Sequence, residues 1–255
     1  MNRWIYCCVV CLAASAVGIA GDAPSKPDEP FKAIPAADLN RQVDLYVQGF
    51  ATALSDSGKY EEESRRVMKD AHTLAAIALV LAKHEADHPR KQSAPALLAA
   101  AQKLGAAKDY ASAKSALAAV QVAAKSSGGK PAENGPKWET VAPQGQLMKQ
   151  VTFVNNRLRR SMRRFDEKAD ELALDAAVLS VIAQAVAHDT SAVKDPAETA
   201  KWYELSDLMR DSAGDLNAQV HKKNRAGAET ALATLTKSCE QCHAVFRKQL
   251  LPTKP

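Results

Sequence analysis

Two stretches of this chain repeat each other, and the repeat limits what it can fold into. Residues 39–54, LNRQVDLYVQGFATAL, align without gaps to 147–162, LMKQVTFVNNRLRRSM. Leucine, glutamine and valine match at the start, and Leu45, Phe50 and Leu54 fall on Phe153, Leu158 and Met162. Further on, AAIALVL at 75–81 lies over AAVLSVI at 176–182, and ALAAV at 116–120 over ALATL at 231–235. The matching segments keep their order, which points to a duplication rather than to chance likeness between alanine-rich segments.

The apolar spacing inside the repeat is helical. Leu39, Val43, Val47, Phe50 and Leu54 share one face of a helix expected over about 37–54. Further helices are expected over about 60–88, 94–104 and 109–125, with Pro89 and Gly105 as stops. Residues 126–137, SSGGKPAENGPK, read as a linker. Beyond it, helices are expected over about 143–165, 167–188, 195–221 and 224–250. Asp195-Pro196 offers a cap followed by proline in the first turn. The chain is 46% hydrophobic but only 5% aromatic, a balance that suits helices better than sheets. The expectation is an all-α protein: two tandem four-helix units, 37–125 and 138–255, separable at the linker.

Residues 1–20 read as a secretory signal peptide. Arg3 supplies the charge, Trp4 to Val17 the apolar run, and Gly18-Ile19-Ala20 a small-x-small cleavage site. The run is shorter than the ~20 residues of a membrane span, so membrane association is expected only if the segment stays uncleaved. Residues 21–36, rich in proline and charge, read as a disordered lead-in. Cleavage removes Cys7, Cys8 and Cys11 and leaves Cys239 and Cys242, so no structural disulfide is expected. It also removes Arg3 and no acid, lowering the net charge from +5 to +4. That is too mild for a nucleic-acid binder, and no basic stripe with interleaved aromatics appears. The one dense basic run is Arg157, Arg159, Arg160, Arg163 and Arg164, either a solvated helix face or a docking patch for an acidic partner.

The two remaining cysteines sit in Cys239-Glu240-Gln241-Cys242-His243, which has the C-x-x-C-H form of a c-type haem attachment signal. Two thiols at this spacing reach the two vinyl groups on one porphyrin edge, and the next histidine lies under the iron. Zinc or redox-dithiol chemistry would need a second ligand pair or a βαβ context. Neither is visible. The first repeat has Ala124 in place of Cys239, with Ser127 and Gly128 in place of Cys242 and His243, so one haem c per chain is expected. His84 and His88 have metal-binding spacing, but no third ligand completes a site, and they read as surface histidines. No nucleotide loop, nucleophile elbow or paired-carboxylate motif appears.

With the pentad near the C-terminus, on the last of four helices and followed by Phe246-Arg247, residues 138–255 resemble the class II c-type cytochromes, the cytochrome c′-like family. Class I cytochromes c place the pentad near the N-terminus and take a methionine from far downstream, whereas only twelve residues, none methionine, follow His243. The resemblance implies an up-down-up-down bundle, haem thioethers at Cys239 and Cys242, and His243 as proximal iron ligand. It puts Arg247, one turn past His243, within reach of a propionate, and it allows a homodimer. Export to the periplasm agrees with the family's haem attachment outside the cytoplasm.

In such a bundle the first helix begins beside the end of the fourth. Met148 then stands near the height of His243, roughly 10 Å from that end, and Met162 lies roughly 21 Å further along. Met209 is mid-helix. His188 is at the right end and is the rival, and an open distal site is the third case. Asn40 occupies the place of Met148 in the repeat without the pentad. The reading is a His/Met-ligated electron-transfer cytochrome with redox partner proteins and no enzymatic activity. The alternative is a five-coordinate binder of NO or CO, and a peroxidase is third. Intact mass after export with the maturation machinery should show one haem added and residues 1–20 removed. Two haems, or haem lost on acid–acetone extraction, would overturn the stoichiometry.

Overall fold

The computed structural model describes residues 31–128 and 137–247. The signal peptide, most of the lead-in, most of the linker and the residues from 248 onward lie outside them. Eight α-helices follow one another: α1 (Ala36–Ala53), α2 (Ser57–Ala82), α3 (Ala94–Gly105), α4 (Tyr110–Lys125), α5 (Gln144–Ser161), α6 (Ala169–Ala187), α7 (Thr199–His221) and α8 (Arg225–Cys242). No β-strand is present among the described residues, and no helix there is long and apolar enough to cross a membrane. The chain is all-α.

Local chemistry sets the helix starts. The Asp56 carboxylate accepts from the Lys59 amide, and Asp109 and Ser112 form a reciprocal capping box at α4. Asn224 accepts from the Gly227 amide at α8. Each satisfies a donor that the first turn would otherwise leave unpaired. Asp195 caps a short 3-10 turn, Pro196–Glu198, and α7 starts only at Thr199.

Three expectations need correcting. The second helix stops at Ala82 rather than running to His88, because residues 83–85 turn from the helix to an incoming arm. The Phe31 amide donates to the Lys83 carbonyl and the Glu85 amide to the Phe31 carbonyl. The lead-in is accordingly docked from Phe31, with Phe31 and Ile34 buried. Two apolar residues in an otherwise polar stretch suffice to seat it. The arm crosses α7 so closely that a Cβ on Gly214 would stand 2.9 Å from the Ala33 carbonyl oxygen, and a bare backbone is needed there. The eighth helix also changes character early: the α-helix ends at Cys242, and His243–Arg247 form a π-helical turn.

Each helix packs on its successor within 36–125 and again within 144–247, and α1 also meets α4. The two sets then join: α1 lies on α6, and α2 on α5 and α6. One continuous core runs through both. Polar ties cross the seam. Gln150 donates to the Tyr46 hydroxyl (2.9 Å), Gln42 to the Leu174 carbonyl, and Asn217 to the Asp38 carboxylate (2.7 Å). This shared core is at odds with the independence of the halves expected from the linker composition.

Helix α5 is fastened to α6 by Arg157, whose Nε lies 2.6 Å from Asp175 and whose second nitrogen completes the fork. Asp175 is 2% exposed, and burial raises its pKa despite the arginine. Removing the partner would strand a buried carboxylate. Arg157→Ala should therefore cost about 2–3 kcal/mol near neutral pH, at the low end for buried pairs because Arg157 is partly exposed. Without the arginine, the folded state holds the Asp175 proton more tightly than the unfolded chain does. Stability of the variant should then fall as pH rises above the unfolded carboxylate pKa. Chemical denaturation at pH 4 and pH 7 checks this; a penalty equal at both would refute it.

Candidate functional site

Helices α5 and α8, the first and last of their set, stand apart, and a cavity of about 440 Å³ opens between them. That is within the ~300–1,000 Å³ of small-molecule and cofactor sites. Residues of α6 and α7 close its back: Ala183, Val186, Trp202, Leu205 and Met209. Cys239, Cys242 and His243 enter from α8 and the π-turn, and Met148 from α5. The four residues named from the sequence as thioether and axial ligands thus line one space. Lys149 and Arg247, both exposed, stand at its rim.

His188 goes elsewhere. It stacks face to face on Trp138, ring centroids 4.8 Å apart and planes within 4°, and is not part of the cavity wall. Met209, mid-helix in α7, also lines the cavity and is buried. Met162 is buried at the far end of α5 in a short 3-10 turn.

The π-turn positions the pentad's histidine. Phe246 is buried and meets Trp202 edge-on, centroids 4.9 Å apart. Trp202 is held in turn by its indole N–H donating to the Val186 carbonyl (3.1 Å). Widened turns of this kind occur often at functional sites. Here the widening follows directly on Cys242 and seats Phe246 inward.

The protonation of the donor set narrows its chemistry. Burial pushes the Cys239 thiol up, and the Cys242 thiol up to about 11. Both cysteines are free and protonated at neutral pH, the opposite of the low-pKa thiolate of a redox dithiol. Among the described residues no three histidine, cysteine or carboxylate side chains gather around a metal position. Partial desolvation, and next the Arg247 charge, lower the pKa of His243, which is still exposed to solvent, and a neutral imidazole keeps a lone pair for an iron. Two protonated thiols, a neutral imidazole and a thioether around an apolar space fit a covalently held haem.

The corresponding place in the first half is closed. Asn40 corresponds to Met148 and Ala124 to Cys239, and one side chain joins them: Arg90, from the loop before α3. Its Nε donates to the Ala124 carbonyl (2.8 Å) and one terminal nitrogen to both oxygens of Asn40 (3.0 and 3.1 Å). The other terminal nitrogen pairs with Asp44. The first half thus lacks the pentad and also ties its first helix to its fourth.

The other histidines serve structure. His84 is buried, donates through Nε2 to the Ile34 carbonyl (2.8 Å) and accepts the Ala86 amide at Nδ1 (3.0 Å). His88 donates to the Leu81 carbonyl. The expectation of surface histidines is corrected: His84 fastens the arm through the Ile34 carbonyl, and His88 binds a carbonyl in the last turn of α2. His72 is buried so close to Gly105 that a Cβ there would stand 2.8 Å from its ring.

Sequence reasoning passed over Trp202, Trp138 and Arg90. Trp202, Leu205, Ser206 and Met209 follow one helix face, a readable signal of burial that does not reveal a cavity. Arg90 carries no signal at all. Arg90→Ala should cost about 2 kcal/mol by stranding the Ala124 carbonyl at the end of α4 and taking the shared partner from Asn40, and leave α5, α8 and the cavity unchanged. Thermal unfolding with and without the substitution checks this, and a loss below ~0.5 kcal/mol would show the tie to be incidental.

Comparison of the chain with protein-family models, with curated proteins and with solved structures finds no match in any of the three.

Proposed function

We propose that this chain is an exported monohaem c-type cytochrome working in electron transfer. In this reading it consists of two tandem up-down-up-down four-helix bundles, and the second carries the haem. The observation that supports it most is the convergence of Cys239, Cys242, His243 and Met148 on one cavity between α5 and α8. Haem, if bound, would supply one-electron redox chemistry, and His243 and Met148 are the residues that would hold its iron.

The protein's own part divides by residue. Cys239 and Cys242 present protonated thiols for the two thioether links. His243, oriented through Phe246 and Trp202, offers the proximal nitrogen. Met148 offers a thioether from the facing helix. The apolar walls from α6 and α7 exclude water and favour the reduced, less charged iron. Arg247 and Lys149 at the rim are in place to meet propionates. The first bundle works as a scaffold whose own site Arg90 has closed.

The deciding measurement is the optical spectrum of the mature protein. Wild type should show low-spin iron with the long-wavelength methionine–iron band, and haem should stay with the chain in acid–acetone. Met148→Ala should lose that band and become high-spin, while Met209→Ala keeps it. A wild type that is already high-spin and binds CO directly would replace electron transfer by gas binding. A band lost in Met209→Ala instead would move the ligand to α7.

A further inference from the structure

The stretch from Thr140 to Phe165 contains six cations, Lys149, Arg157, Arg159, Arg160, Arg163 and Arg164, and not one acid. The whole chain is only +5, so taking away these six leaves −1 for everything else. The net positive charge of the molecule is thus carried by α5 and the turn after it, which form one wall of the cavity. The repeat sharpens the contrast: α1 holds Arg41 against Asp38 and Asp44.

The structure sorts these cations. Arg157 is turned inward onto Asp175, and Arg164 pairs with Glu167. Arg159 leans toward α8, its guanidinium 3.4 Å from the Thr236 hydroxyl. Lys149, Arg160 and Arg163 are exposed and have no carboxylate partner among the described residues. Lys149 and Arg160, eleven residues apart, fall on the same side of α5, and Arg163 follows in the short 3-10 turn after it. Thr152, Phe153 and Asn156 are exposed along that side, and Phe153 is a large apolar residue 45% exposed. A cationic stripe around an exposed aromatic ring, starting at the cavity rim, has the make-up of a protein-docking face. A solvated helix face would mix both signs.

We propose that the outer face of α5 and the turn after it, from Lys149 through Phe153 to Arg160 and Arg163, is the docking surface for an acidic protein that exchanges electrons with the site. This rests on the cytochrome reading above. The stripe steers an acidic partner into place beside the cavity, and such steering acts mainly on the rate of encounter and weakens with salt. Phe153 supplies the apolar contact, and Lys149 sets the near edge of the docked partner at the rim.

The test uses the full-length exported chain, labelled with ¹⁵N and titrated at low ionic strength with an acidic [2Fe–2S] ferredoxin. Amide shifts should cluster within 149–163. The double variant Arg160→Glu/Arg163→Glu should bind at least about ten-fold more weakly, and raising the salt should erase the difference. Both positions are exposed, and an unchanged amide spectrum elsewhere verifies that the variant folds. Shifts centred on another face, equal affinity of the double variant, or α5 shifts with phosphatidylglycerol vesicles but not with the ferredoxin would overturn the proposal. Intact mass on the same sample separates the two ideas: α5 shifts on a chain without covalent haem would sink the cytochrome reading and leave the docking face standing.

Discussion

The cavity exists because α5 is held from the side facing away from α8. The Arg157–Asp175 fork binds it to α6, and Gln150, reaching Tyr46 and Lys69, binds it to the first half. Both ties are largely buried, and buried charge and amide groups are costly to leave unpaired. The position of α5 is thereby set by partners that a separate second half would only partly possess. In the first half Arg90 draws α1 and α4 together. The two sets differ in degree: Arg90 binds α1 and α4 through several groups, whereas a long Arg159–Thr236 hydrogen bond spans α5 and α8 and the buried ties of α5 run to α6 and the first half.

This arrangement gives the first half a part to play even without a binding site. It supplies Tyr46, Lys69 and the faces of α1 and α2 on which α5 and α6 lie. The arm from Phe31 to Pro35 adds to the seam, passing over Gly214 and handing two hydrogen bonds to the end of α2.

The site itself is governed by burial. Burial keeps both thiols protonated, and partial desolvation with the Arg247 charge lowers the pKa of the exposed His243 imidazole. Those states suit thioether formation and iron ligation and work against thiolate redox chemistry. The same low-polarity surroundings hold Phe246 against Trp202 and so fix where the π-turn aims His243. The charge on the exposed side of α5 is all of one sign, so one helix turns Met148 and Val151 to the cavity and cations to solvent.

Much of this was legible in the chain. Helical period and alanine content determined the all-α class and the eight helices, because a 3.6-residue apolar repeat is a local property. The pentad's spacing marked Cys239, Cys242 and His243, because adjacent turns of one helix bring them together without help. Met148 was reachable by counting residues along an assumed bundle. Where α2 ends, how the arm docks, where His188 turns and why Arg90 matters could not be read, because each depends on backbone groups from distant segments. The sequence by itself determined which groups the chain carries and how they are spaced along each helix. Only the tertiary structure decided that α5 would lean on α6 and the first half instead of on α8, because that choice is made by buried polar pairs whose members are far apart in the chain.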